Sequence, residues 1–281
     1  MKKIIATILS IFFTTTIFAK NIEILGPTTL KGPPGVVINT ISDLTKNNGL
    51  KFVGRQASGC GEAVDLFDNA KEPIAIIWSD TLYKHTETTK QNCVINFETA
   101  KPIAVTFASY DVCVRKGFVL ESGKTYTIGN AKFNPTKSII DHLNNNNKNI
   151  KFKNVSYEGS AQTIVGLINK DIDVGYIAAG NSAPAIVAGT IDCLYSTGSK
   201  KYGQKPLSDF AGKNALSEFK LGMMLFVKNM SAEQITALEK SLTDGFTSAM
   251  DQQNLINSKV GINKADLDKF IATAKANVQY Q

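Results

Sequence analysis

Arginine is nearly missing from this chain. Arg55 and Arg115 are the only two among 31 basic residues, so the net charge of +7 is carried by scattered lysines. Proteins that bind nucleic acid lean on arginine for phosphate and base contacts, and that class is excluded. Histidine is as scarce, with His85 and His142 alone. No Cys-x-x-Cys pair accompanies them, so no zinc site is recognisable and no metal or other cofactor is expected. The Gly-x-Ser-x-Gly elbow of an α/β-hydrolase is absent, and so are paired acids at a loop. Cys60 with His85 is the one conceivable thiol–base pair, and nothing else supports it. No apolar run in the middle or at the end approaches the roughly 18–20 residues that span a bilayer. Apolar residues make up 43% and charged residues 20%, ordinary globular usage that argues against a disordered or fibrous chain. A length of 281 residues suggests one large domain or two modest ones.

The first residues read as an address. Lys2 and Lys3 precede an uncharged apolar and hydroxyl-bearing stretch, Ile4 to Phe18, and Ala19 is followed by polar Lys20 and Asn21. This is the pattern of a secretory signal peptide, residues 1–19, cleaved after Ala19. Its removal takes two lysines and leaves +5 (29 − 24). An exported chain meets an oxidising compartment. Its four cysteines, Cys60, Cys93, Cys113 and Cys193, then suggest two disulfides, with three pairings open, or else buried thiols.

The rest alternates strand-like and helix-like patches. Asn21–Leu25, Lys51–Val53, Ile74–Trp78, Lys151–Val155, Val174–Ile177 and Leu221–Val227 read as strands. Val36–Leu44, Thr136–Asn144, Ala161–Ile168 and Ala183–Ala188 read as helices. Pro102–Phe107 and Asp111–Val114 look like a strand pair. Ser231–Met250 and Lys264–Ala276 close the chain as helices, the first with a capping box from Ser231 and Gln234. Strand–loop–helix repetition predicts an α/β protein with largely parallel sheets. The pattern restarts near residue 115, which predicts a second sheet.

In such sheets ligands sit beyond the carboxyl ends of strands, where helix N-termini offer unpaired N–H groups to a carboxylate. The loops there are rich in Gly, Ser, Thr and Asn and poor in general bases. They place Thr28, Thr29, Gly35, Ser79, Asp80, Asn130, Thr136, Gly159, Ser160, Gly180, Asn181 and Ser182 as candidate ligand contacts, with no catalytic residue among them. Several have a purely structural alternative. Asp80, Asn130 and Thr136 could cap helices, and Trp78 reads as core.

The segment from Tyr157 to Gly189, YEGSAQTIVGLINKDIDVGYIAAGNSAPAIVAG, resembles the solute receptors of tripartite tricarboxylate transporters, which show YKGSAPALTDLLGGQVDLMF followed by PSALPHIKAG. Val53–Gly61 is similar to their VENRPGAGG, Pro33-Pro34-Gly35 to their PPGG turn, Leu194–Gly198 to LAVTG, and Met224–Ser231 to the YGLFAPAGTP segment. The resemblance implies a type II periplasmic binding protein, with two α/β lobes joined by crossover strands and a small organic acid held largely by backbone amides. It implies a monomer that hands its ligand to membrane transporter subunits and is not an enzyme. A sensor feeding a membrane kinase and an exported α/β hydrolase are the rivals. It also implies lobe one at residues 20–112 and 194–281 and lobe two at 113–193. In that fold the crossovers lie side by side, which favours Cys113–Cys193 and leaves Cys60 for Cys93. Departures fall at the cleft. Val36 replaces the second Gly of the turn, and Asn39 stands where the family has an Asp, which makes an amino-acid ligand less expected. Gly180 and Asn181 replace Pro and Ser.

Overall fold

The computed structural model describes residues 21–278, apart from 28, 29, 31, 84, 85, 87–89, 132–135, 147, 148, 199 and 215. The segment read as a signal peptide, residues 1–19, and His85 therefore lie outside the described residues. No helix among those described is long and apolar enough to cross a membrane.

Two six-stranded sheets form the frame. The first combines β1 (Asn21–Gly26), β2 (Lys51–Gln56), β3 (Ile74–Ser79) and β4 (Lys101–Ala108) with two late strands, β11 (Leu221–Lys228) and β12 (Leu255–Val260), in the order β12-β4-β11-β3-β1-β2. The second holds β5 (Tyr110–Arg115), β6 (Thr125–Ala131), β7 (Lys151–Tyr157), β8 (Val174–Ala178), β9 (Ile191–Ser196) and β10 (Lys205–Pro206), in the order β10-β9-β5-β8-β6-β7.

The sheets are mixed, which corrects the expectation of largely parallel strands. Helical crossovers keep β1, β2 and β3 parallel, and likewise β6, β7 and β8. Strands reached by passing between sheets enter from the opposite end. Thus β5 runs against β8 and β9, and β11 against β3 and β4. The segments read as a strand pair, β4 and β5, do not pair with each other. Ser109 alone separates them, and they belong to different sheets. The chain stays in the second sheet through β10, past the expected return near residue 194.

Helices cover both faces. In the first unit these are α1 (Pro33–Thr45), α2 (Cys60–Asp68), α7 (Ala232–Thr243), α8 (Phe246–Gln252) and α9 (Lys264–Asn277); in the second, α3 (Thr136–Asn146), α4 (Ser160–Asn169), α5 (Ala179–Val187) and the short α6 (Ser208–Ala211). Every residue of β3 is buried because both faces are covered, which explains its continuous apolar run. Ala75 and Ile77 pack toward α1 with Ile38 and Ile41. Ile76 and Trp78 pack toward α2 and α9 with Phe67 and Phe270. Ser231–Met250, expected as one helix, breaks at Asp244–Gly245 into α7 and α8. A side chain at Gly245 would begin 2.8 Å from Leu44 of α1, so the break lets the chain pass close to that helix.

Both expected cysteine pairs are disulfides in the structure. Cys60 at the start of α2 joins Cys93, and Cys113 joins Cys193, its register partner across β5 and β9.

Candidate functional site

Carboxyl ends of strands from both sheets lie at the β4–β5 crossover, and hydrogen-bonded pairs flank it on both sides. At the end of β3, Asp80 Oδ2 accepts from the Gly222 N–H of β11 at 3.0 Å, and the Asp80 N–H donates to the Gly222 carbonyl at 3.0 Å. The neighbouring Leu221 pairs with Ala108. The Ser109 carbonyl then accepts from the Ala179 N–H of α5 at 2.8 Å, and the Ala178 N–H donates to Ser160 Oγ at 3.3 Å. A succession of pairings thus leads from Asp80 through the crossover to the first turn of α5 and to Ser160. Beneath them Tyr110 and Tyr176 stack with ring centroids 5.1 Å apart, both fully buried. Burial pushes both phenols well above their ordinary range, and the nearby Asp80 carboxylate raises Tyr110 further.

The helices that start at these strand ends share one feature. Gly32, Gly59, Gly159 and Ala178 precede α1, α2, α4 and α5, and none supplies a side-chain cap. By contrast α7 and α9 begin with complete capping boxes, Ser231 with Gln234 and Asn263 with Asp266. α8, which follows α7 directly, also has no side-chain cap. These four termini are not equivalent. In α1 the first two helical residues are prolines without N–H, and the N–H groups of Gly35 and Val36 both return to the Gly32 carbonyl. At α2, Glu62 already brings a carboxylate, accepting from the Ser58 N–H at 2.6 Å, and Ser58 holds it below the usual carboxylate range. It borders a polar cavity of about 400 Å3 with Ser58, Gly59, Gly61, Asp65 and Gln91. The first turns of α4 and α5 carry no acid. They are the termini best suited to an anion.

Individual candidates divide. Thr28 and Thr29 lie outside the described residues, as does the Thr136 side chain at the start of α3. Gly35 is glycine for the chain's own sake, since a Cβ there would lie 1.8 Å from the Leu30 carbonyl oxygen. The Ser79 hydroxyl meets the Thr81 hydroxyl at 3.0 Å. Asn130 is bonded to Asn154. Gly159 stands at the N-cap and Ser160 opens α4, one residue before the helix expected from Ala161, with the Ser160 hydroxyl proton left to donate. Ser182 is fully buried and donates to Asp111 Oδ2 at 2.8 Å and to the Ala179 carbonyl at 3.0 Å, which occupies it within the protein. Asn39 is exposed. Among the described residues, the buried oxygens near the crossover without a partner include Ser109 Oγ, Asp111 Oδ1, Tyr176 OH and Asn181 Oδ1. Unpaired buried polar atoms of this kind are ordinarily met by water or ligand.

Neither arginine is available as a clamp. Arg55 pairs with Glu23 at 3.0 Å and lies 3.8 Å from Glu62, while Arg115 donates to the Ile172 carbonyl at 2.8 Å and covers the Phe118 ring.

Asp111 was not anticipated. It is the lone acid in the buried strand β5, and its signal was that isolation among apolar neighbours. Its carboxylate accepts from Ser182 of α5 and from Gln204 Nε2 at 3.4 Å, so it ties α5 to the segment beyond β9. Burial raises its pKa from 3.8 to about 6, against the lowering effect of Ser182, Ser196 and Gln204. It adjoins Cys113 and Cys193, but their disulfide leaves no thiolate for a metal. The native carboxyl holds its proton to higher pH than the unfolded one. The resulting stability is complete below pH 3.8 and is lost as pH rises through about 6. That loss is about 3 kcal/mol. Denaturation of the wild type and Asp111→Asn from pH 4 to 7.5 should show the difference in stability changing across this window. Parallel curves would mean that Asp111 titrates normally.

No protein-family model and no curated protein matches the chain. Solved structures do. The TctC solute binding protein from Polaromonas is 14% identical, with 93% of this chain and 98% of that one covered and a TM-score of 0.62. Rpa4515 of R. palustris with adipate is 14% identical over 92% and 95%, with a TM-score of 0.70. MatC of Rhodopseudomonas palustris with bound malate is 15% identical over 92% and 98%, with a TM-score of 0.65. The likeness shows the fold: the two mixed sheets with their helices match the two-lobed type II binding-protein fold of these structures.

Proposed function

We propose that this chain is an exported solute receptor of the tripartite tricarboxylate transporter type. It captures a small organic carboxylate between its lobes and delivers it to membrane transporter subunits. In this reading residues 1–19 are the signal peptide, the periplasm is the compartment, and the mature protein is a monomer without enzymatic activity. The second lobe runs from Tyr110 through α6, and the first comprises the remainder of the mature chain. One observation carries the reading: α4 starts at a strand end facing the inter-lobe crossover with no side-chain cap, no acid in its first turn and Ser160 as its first residue. Backbone N–H groups and a positive partial charge there suit a carboxylate. The candidate contacts Gly159, Ser160 and Asn181 would line that end, with Ser79, Asp80 and Asn130 across and beside them. Two similar structures hold adipate and malate, so dicarboxylates are the first ligands to try.

Thermal unfolding with a panel of organic acids and neutral sugars tests this. An acid at 100 times its dissociation constant is expected to stabilise the protein by about 2.7 kcal/mol. A panel in which sugars raise the melting temperature and no acid does would overturn the proposal.

A further inference from the structure

The first turn of α5 belongs to the second sheet, yet it rests on a turn of the first. Asn254, in the turn between α8 and β12, is buried and donates its Nδ2–H to the Ala179 carbonyl at 3.2 Å. The Ala179 N–H meanwhile donates to the Ser109 carbonyl of the crossover. One residue of α5 is therefore held at both its main-chain groups, once by the strand link and once by the opposite lobe. The Gln253 carbonyl oxygen would lie 2.6 Å from a Cβ at Gly180, so the next residue has no room for a side chain. Asn254 takes a left-handed backbone, φ 60°, which asparagine tolerates better than most residues. Close by, Lys201 donates from Nζ to the Asp251 carbonyl at 3.0 Å, and a Cβ at Gly198 would lie 2.9 Å from Ile256 Cδ1. These contacts join segments of the two units apart from the β4–β5 link itself.

We propose that the seating of Gly180 and Ala179 on the Gln253–Asn254 turn is a hinge stop, which fixes the angle between the lobes and so positions the α5 terminus at the cleft. The inference rests on the two-lobe receptor reading, and it makes Gly180 a positioning residue where a ligand contact was expected. The contact lies next to the crossover, because Leu255 pairs with Ala108. Near a rotation axis a small displacement becomes a large one at the cleft mouth. An added methyl group at Gly180 must move the Gln253 carbonyl or turn the lobe, and packed interfaces respond by shifting between arrangements. Loss of the Asn254 amide removes the tie that holds the stop closed.

Small-angle X-ray scattering on the unliganded mature protein tests this without any ligand. Gly180→Ala wedges the contact, and Asn254→Gly removes the tie while keeping the left-handed backbone accessible. Both variants are expected to give a radius of gyration and distance distribution that depart from wild type, with circular dichroism unchanged. Scattering curves of both variants that superimpose on wild type would overturn the stop. Should Gly180→Ala fail to fold, Asn254→Gly decides alone. A failure of the organic-acid panel, by contrast, leaves these curves as they are, so the two ideas fail separately.

Discussion

Removal of the Cys113–Cys193 bridge, by Cys113→Ala with Cys193→Ala, is expected to lower stability by about 4.5 kcal/mol on the chain-entropy relation. The two cysteines are 80 residues apart and already face each other in the β5–β9 ladder. The ladder fixes the native geometry, so the bridge acts mainly by restricting the unfolded chain. The same relation gives about 3.8 kcal/mol for Cys60–Cys93, whose separation is 33 residues. Urea denaturation of the two double variants separates the cases. The Cys113/Cys193 variant should unfold at the lower denaturant concentration. The reverse order would mean that local contacts, such as the Trp78 hydrogen bond to the Cys93 carbonyl, outweigh loop length.

The second large effect is expected for Trp78→Ala, at about 3–5 kcal/mol. The indole is fully buried in the first lobe and donates Nε1–H to the Cys93 carbonyl at 2.9 Å. Tyr83, Phe97 and Phe270 meet it edge to face, at 5.3, 5.4 and 6.1 Å between ring centroids. Truncation removes that packing, leaves a cavity, and orphans a carbonyl beside a disulfide. Trp78→Phe keeps most of the volume and should lose markedly less. Circular dichroism is the suitable probe, because this is the chain's single tryptophan. A loss below 1 kcal/mol for the alanine variant would show that the cluster does not hold the first lobe together.

Periodicity and strand–loop–helix order were enough to find the α/β class and most strands, because local burial dictates both patterns. The all-buried run of β3 and the capping box at Ser231 were legible for that reason. What was hidden is long-range. Nothing in Pro102–Phe107 and Asp111–Val114 tells a hairpin from a lobe exchange, since the two differ only in which partners arrive later. β12 also escaped notice, because Leu255–Val260 alternates buried and open positions weakly, follows the left-handed Asn254 and contains a second left-handed asparagine, Asn257. At the candidate site, Ser160 was singled out by its motif, and it stands first in α4 with its hydroxyl accepting from the Ala178 N–H. Ser182 and Gly180 were read as ligand contacts, and the protein partners the structure gives them, Asp111 and Gln253, were hidden because they lie 71 and 73 residues away (182 − 111, 253 − 180).

The position of β11 bears on how the molecule is made. It lies between β3 and β4 at the centre of the first sheet, yet it is encoded after the whole second sheet. The strands of the second sheet are contiguous in sequence, so that unit has all its pairing partners once Pro206 has emerged. The first sheet must wait for Leu221 onward, with β3 and β4 exposing unpaired edges until then. Pairings of such sequence separation carry a large loop-closure cost and form slowly. On the proposed reading as an exported chain, this order delays closure of the first sheet until the residues after Pro206 are available.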